Sequence, residues 1–161
     1  MNILFIHQNF PGQFKFLAPA LAEAGHHVRA LTINGGAGND ILFGGAGLDT
    51  MTGGTGANTF SFSATSNSTL ALSDVISDFG LGTNIINLSA IDANTGVGGN
   101  QAFLFVAVAT PSTVANSVTW SEDIVNNITI LHIDNTGDIT ADMQIVLQGT
   151  GLGLTAADFI L

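Results

Sequence analysis

The chain has 161 residues, 46% of them hydrophobic, which is enough for one domain with a sizeable core, and it has no cysteine, so disulfides and thiolate metal sites are excluded. Its formal net charge is −10, with Lys15 and Arg29 the only lysine and arginine. A chain so poor in cations is a poor partner for nucleic acid or an anionic membrane surface and a good one for hard cations.

In chain order, the opening "MNILFIHQNFPGQF" carries no basic n-region, long apolar stretch or small-x-small cleavage site, so no N-terminal secretory signal is expected. The 20 glycines break the chain too often to leave an apolar run of about 18 residues, so no membrane insertion is expected either. "ILFI" predicts a strand, and "GQFKFLAPALAEAG" places Phe14, Leu17 and Leu21 at helical spacing before stopping at Gly25. Pro19 should kink or shorten that helix, and "VRALTI" predicts a second strand. Residues 1–33 thus read as a short βαβ segment. His7, His26 and His27 fall in it and His132 far beyond it, with no second ligand at a fixed short spacing, so they read as turn, surface or strand residues.

The wording "MNILFIHQNFPGQFKFLAPALAEAGHHV" resembles the first strand, helix and second strand of glycosyltransferases of the GT-B fold. No second nucleotide-binding half and no donor-sugar motif follow it. The expectation is an incomplete segment that covers the open end of what comes next.

Residues 35–61 are three nine-residue units, 35–43, 44–52 and 53–61, each opening Gly-Gly-x-Gly. They match G-G-x-G-x-D-x-U-x, the nonapeptide of calcium-binding parallel β-helices. Glycines at positions one, two and four let a six-residue turn enter positive φ and aim carbonyls inward, and position six adds a side-chain oxygen. Position eight, occupied by Leu42, Met51 and Phe60, should point into the narrow interior. A flexible linker would not keep an apolar residue in register in every unit.

Each unit makes half a coil, so the first and third turns should stack on one side, with the second on the other. One calcium site is then expected between Gly35, Ala37 and Asp40 of the first turn and Gly54, Gly56 and Asn58 of the third. Gly44, Ala46 and Asp49 would form half of a second site and must borrow oxygens from elsewhere. Asn58 stands where aspartate is due and brings an oxygen without charge, which should weaken its site.

Beyond the repeats, "AFLFVAVAT", "SVTWS", "NITILHI" and "MQIVLQG" predict strands that extend the roll into a β-sandwich, with Trp120 packing in its core or rim. Asp134, Thr136, Asp138 and Asp142 alternate oxygens as a calcium loop does, but Ile139 occupies the position of the sharp-turn glycine, which favours a solvated turn. No zinc helix H-E-x-x-H and no Ser-His-Asp order is present, so no catalysis is expected.

From Gly35 to Leu161 the sequence resembles RTX proteins exported by type I secretion, and most closely the C-terminal domain of serralysin-type metalloproteases. "DVISDFGLGTNIINLSAIDA" is similar to that domain's D-x-I-x-D-F-x-x-G-x-D-x-I-D-L-S segment, and "IDNTGDITADMQIVLQGT" to its D-x-N-G-D-G-x-A-D-F-x-I-x-L. The resemblance implies that "LTAADFIL" is part of an uncleaved C-terminal secretion signal. It also implies that Asp74 and Asp78 contribute to a later calcium site, although Asp78 could equally cap a turn. Asn58, Asn67, Asn84 and Asn87 replace common aspartates, and Ile139 a common glycine, so fewer or weaker sites are expected.

The combined expectation is a mainly β chain, with a βαβ-like segment over 1–33 and a calcium-binding parallel β-roll continuing into a sandwich over 34–161. It would be non-catalytic, secreted and extracellular, with Ca2+ and the type I secretion machinery as partners. The alternatives are a glycosyltransferase fragment and a structural surface protein that assembles through its roll.

Overall fold

A computed structural model describes residues 2–3, 27–28, 32–107, 109 and 112–161. Lys15, Arg29, His7, His26 and the helix expected near residues 13–24 lie outside these residues. Strands β1 (Asn2–Ile3) and β2 (His27–Val28) pair in parallel, the pairing a βαβ unit makes.

From residue 32 onward the chain is mainly β and winds as a roll. The odd half-coils supply β3 (Thr32–Asn34), β5 (Thr50–Thr52) and β7 (Asp74–Ile76), which pair in parallel side by side. The even half-coils supply β4 (Ile41–Leu42), β6 (Thr59–Ser61) and β8 (Ile85–Asn87), also parallel. β9 (Leu104–Phe105), β10 (Ser117–Asp123), β11 (Ile128–Ile133) and β12 (Met143–Gln148) follow, and β13 (Phe159–Ile160) ends the chain. One sheet of the body runs β3-β5-β7-β12-β11-β10-β9 and the other β13-β8-β6-β4.

Strands of two or three residues cannot persist alone. They hold because position eight of every unit buries its side chain between the sheets: Leu42, Met51 and Phe60 are essentially inaccessible. The same core continues through Ile76, Ile86, Leu131, Ile133, Ile145 and Leu147, so the roll and the antiparallel extension share one interior. Fully burying a side chain of this kind contributes roughly 1.5–3 kcal/mol. Phe105 and Phe159, with ring centroids 5.0 Å apart, close the far end across the two sheets. Trp120 packs against the core's edge.

β11 alternates outward and inward, placing Thr129, Leu131 and Ile133 inside and His132 half-buried on the outer face. His132 lies in register between Thr119 and Gln144, and its Nε2 is 3.3 Å from Ser121 Oγ. Burial holds its imidazole below the usual value of 6.5. The native state therefore prefers neutral His132, and its contribution is complete above the unfolded-state value and is lost as pH falls below it. His132→Gln should flatten the fall in thermal midpoint between about pH 7 and pH 5; an unchanged difference between wild type and variant across that range would refute this.

Candidate metal centre

The turns fall on two flanks because strands alternate between the sheets. Turns 35–40, 53–58 and 77–84 stack on one flank, and turn 44–49 meets the segment leading into β7 on the other. The first and third turns are bonded along their length. Gly35 N–H donates to Thr52 O at 2.9 Å, Thr55 N–H to Gly36 O at 2.9 Å, and Gly38 N–H to Thr55 O at 2.9 Å. Gly54 has φ of 84°, and a Cβ there would overlap the Gly36 carbonyl oxygen. Only glycine permits that approach.

One bond recurs from coil to coil. The position-six side chain accepts the main-chain N–H of position six in the preceding coil of its flank. Asp40 N–H donates to Asn58 Oδ1 at 3.0 Å, Asn58 N–H to Asn84 Oδ1 at 3.1 Å, and Asp49 N–H to Asp74 Oδ1 at 2.9 Å. Asp74 is thus the ladder partner of Asp49, which the repeat alone does not indicate. Their separation is 25 residues, against 18 for Asp40 and Asn58, because the chain between β6 and β7 is longer than a six-residue turn. The one sequence signal for Asp74 is its place at the head of "DVISDF".

Asp49 and Asp74 are both fully buried. Asp74 Oδ2 has no hydrogen-bond partner. A Cβ on Gly44 would lie 2.8 Å from Asp74 Oδ2 and 3.1 Å from Asp49 Oδ2, so both carboxylates face the same spot beside the Gly44 backbone. Ser68 fixes the geometry: its hydroxyl donates to Gln144 O at 2.5 Å and accepts Asp74 N–H at 2.7 Å. Burial pushes the Asp74 carboxyl up to about 8, the N–H of Asp49 offsets part of this, and the Asp49 charge adds to the rise. Ionising Asp74 beside Asp49 in this buried position is unfavourable.

On the opposite flank Gly35, Ala37 and Asp40 lie in the turn stacked on the one that holds Gly54, Gly56 and Asn58, and Asp40 Oδ2 also has no partner. Gly44 and Ala46 share their turn with Asp49. The chemistry of both places fits a hard cation, which takes six to eight oxygens and favours carboxylate and carbonyl donors. Among the described residues no three His, Cys, Asp or Glu side chains converge, so such an ion would draw its remaining ligands from turn carbonyls and water.

Other acidic and amide side chains singled out in the sequence serve turns. Asp78 accepts the N–H groups of Gly53 at 2.9 Å and Gly54 at 2.7 Å and so caps the third turn. Asn67 Oδ1 accepts the N–H groups of Ser63 at 2.8 Å and Ala64 at 3.1 Å, and Asn87 Oδ1 that of Ser89 at 3.0 Å. In the loop after β11, Asp134 is buried and accepts the N–H groups of Thr136, Gly137 and Ile139. Asp142 accepts those of Asn135 and Thr136. This loop is a solvated turn with its carboxylates used internally. Ile139 has φ of 62°, a left-handed conformation that costs a side chain roughly 1–2 kcal/mol.

A family model for the C-terminal domain of peptidase M10 serralysins matches residues 24–161. The chain belongs to this family. The part of a serralysin that the family describes is its non-catalytic C-terminal domain. The fold of this serralysin C-terminal domain is similar to the solution structure of the AlgE6R3 subunit from the Azotobacter vinelandii mannuronan C5-epimerase. That match has a TM-score of 0.54 and 24% identity and covers 83% of this chain and 74% of the other. No curated protein matches the chain.

The Asp49–Asp74 pair makes a direct prediction. Above about pH 8, where the Asp74 carboxyl ionises, Asp74→Asn keeps the acceptor for the Asp49 N–H and removes one buried charge. In chelator the variant should retain more β signal in circular dichroism, or unfold at a higher urea midpoint, by on the order of 1–2 kcal/mol. In excess calcium it should be the less stable of the two. A variant weaker than wild type in chelator would show that the pair is not strained.

Proposed function

We propose that this domain is a calcium-binding β-roll module whose folding is completed by the ion, and that it directs export through a C-terminal type I secretion signal. The observation that carries the reading is the pair of buried carboxylates, Asp49 and Asp74, facing one spot beside Gly44. A divalent cation there would turn mutual repulsion into shared attraction. The second location is the stack of Gly35, Ala37 and Asp40 on Gly54, Gly56 and Asn58, where one carboxylate and turn carbonyls make a weaker site. Gly44 and Ala46 would add carbonyls to the Asp49 site.

The binding free energy of the ion becomes folding free energy, because the stacked turns exist only in the folded chain. In a cytosol poor in calcium the pair would oppose closure of the roll. Outside the cell, modules of this kind bind with dissociation constants of about 0.1 to 1 mM, well matched to extracellular calcium.

Residues 154–161 supply the export half of the reading. β13 lies on the edge of the second sheet, paired with β8, and Phe159 is buried. A signal in this strand is accessible only before the sheet forms, which suits export of an unfolded chain. The role is non-catalytic: the sequence has no H-E-x-x-H, and the acidic groups described above serve turns or face one another.

Isothermal titration with calcium, followed in parallel by far-ultraviolet circular dichroism, should show one or two ions bound with a gain of β signal. No heat and no spectral change up to about 10 mM would end the calcium reading. Separately, a chain lacking residues 154–161 should stay inside cells that carry a type I exporter; undiminished export would remove the secretion half and leave the calcium half standing.

A further inference from the structure

Asn84 is buried at 4% exposure, and both ends of its amide are fully used. Oδ1 accepts the Asn58 N–H at 3.1 Å, as the ladder requires. Nδ2 donates to three main-chain carbonyls of its own turn, Asp78 O at 3.2 Å, Phe79 O at 3.2 Å and Leu81 O at 2.8 Å. The assignment of the two amide ends follows from the partners: reversed, an NH2 would face an N–H and an oxygen would face three oxygens.

The ladder sets what the second atom of each position-six side chain meets. In Asp74 it is an oxygen, and it is buried without a partner. In Asn58 it is an NH2 held 3.5 Å from Gly54 O, a long contact. In Asn84 it is an NH2 in the centre of a converging group of carbonyls. Three inward carbonyls need a positive pole, supplied either by a cation or by donor hydrogens.

We infer that the Asn84 amide takes the place of a cation in turn 77–84, so that the flank formed by turns 53–58 and 77–84 closes without metal and serves as the preformed half of the roll. Asp78 reinforces that flank by capping Gly53 and Gly54 from the same turn. Ile85 N–H, bonded to Asn58 O at 2.8 Å, continues the tie. Among the described residues no side-chain amide takes that place at Asp74, whose Oδ2 has no hydrogen-bond partner. The domain is therefore divided into a metal-independent stack, turns 53–58 and 77–84, and a metal-dependent pair, Asp49 and Asp74, on the other flank of the same two sheets. The first half of this division holds whether or not the second flank binds calcium, and the two are tested apart.

Amide hydrogen exchange of the wild-type chain in chelator reads the division directly. The N–H groups of Asn58 and Ile85 should exchange roughly tenfold or more slowly than those of Asp49 and Val75, which tie the other flank. Equal rates, or the reverse order, would overturn the inference. Asn84→Asp provides a second test through a gain: it places an unpartnered carboxylate oxygen among the three carbonyls. Calcium titration of that variant should count one more ion per chain than wild type, and in chelator the protection of Asn58 and Ile85 should fall. An unchanged ion count with unchanged protection would show that Asn84 does not occupy a cation's place.

Discussion

Successive coils of this roll are joined through the side chain at position six, which must give one oxygen to the N–H of the coil before it. That requirement fixes the direction of the whole side chain, and with it the direction of the second terminal atom, which is sent towards the turn backbone. An aspartate there presents a bare carboxylate oxygen, as Asp74 does, and an asparagine presents two donor hydrogens, as Asn84 does. The stacking bond is the same in both cases. What differs is whether the turn satisfies itself or leaves an oxygen for a cation, and on the proposed reading a change of one atom type decides where the domain depends on metal.

The supporting structure follows from the same constraint. Coils can be tied at position six only if the turns approach closely, which is why Gly54 stands where a side chain would strike the Gly36 carbonyl. Close turns hold the sheets near each other, and the interior admits one apolar side chain per half-coil. Leu42, Met51 and Phe60 fill it, and the antiparallel strands β10 to β12 extend the same core. The chemistry of the flanks and the packing of the centre are two consequences of one repeat.

Much of this was legible in the sequence. The nonapeptide period fixed the half-coils, the inward residues and the alternation of turns between flanks, since all three depend only on local spacing. The pairing of Asp49 with Asp74 was not legible from the period, because the chain between β6 and β7 is longer than a turn and shifts the ladder partner to a separation of 25 residues. A strict period would have pointed to Asn67, which instead caps a short 3₁₀ turn. Likewise, Asp78 could be read as ligand or cap until its two bonds to Gly53 and Gly54 settled it as a cap. The asparagines read only as lost charge in the sequence. The donor role of Asn84 depends on which carbonyls surround it, and that is a property of the folded turn.

The central claim is that calcium is held between the carboxylates of Asp49 and Asp74. Crystals grown in millimolar calcium test it most directly, through anomalous difference density near the Gly44 backbone. The account predicts a peak at about 2.3–2.6 Å from Asp74 Oδ2, shared with Asp49. Well-ordered Asp49 and Asp74 side chains with no ion between them at that concentration would contradict it.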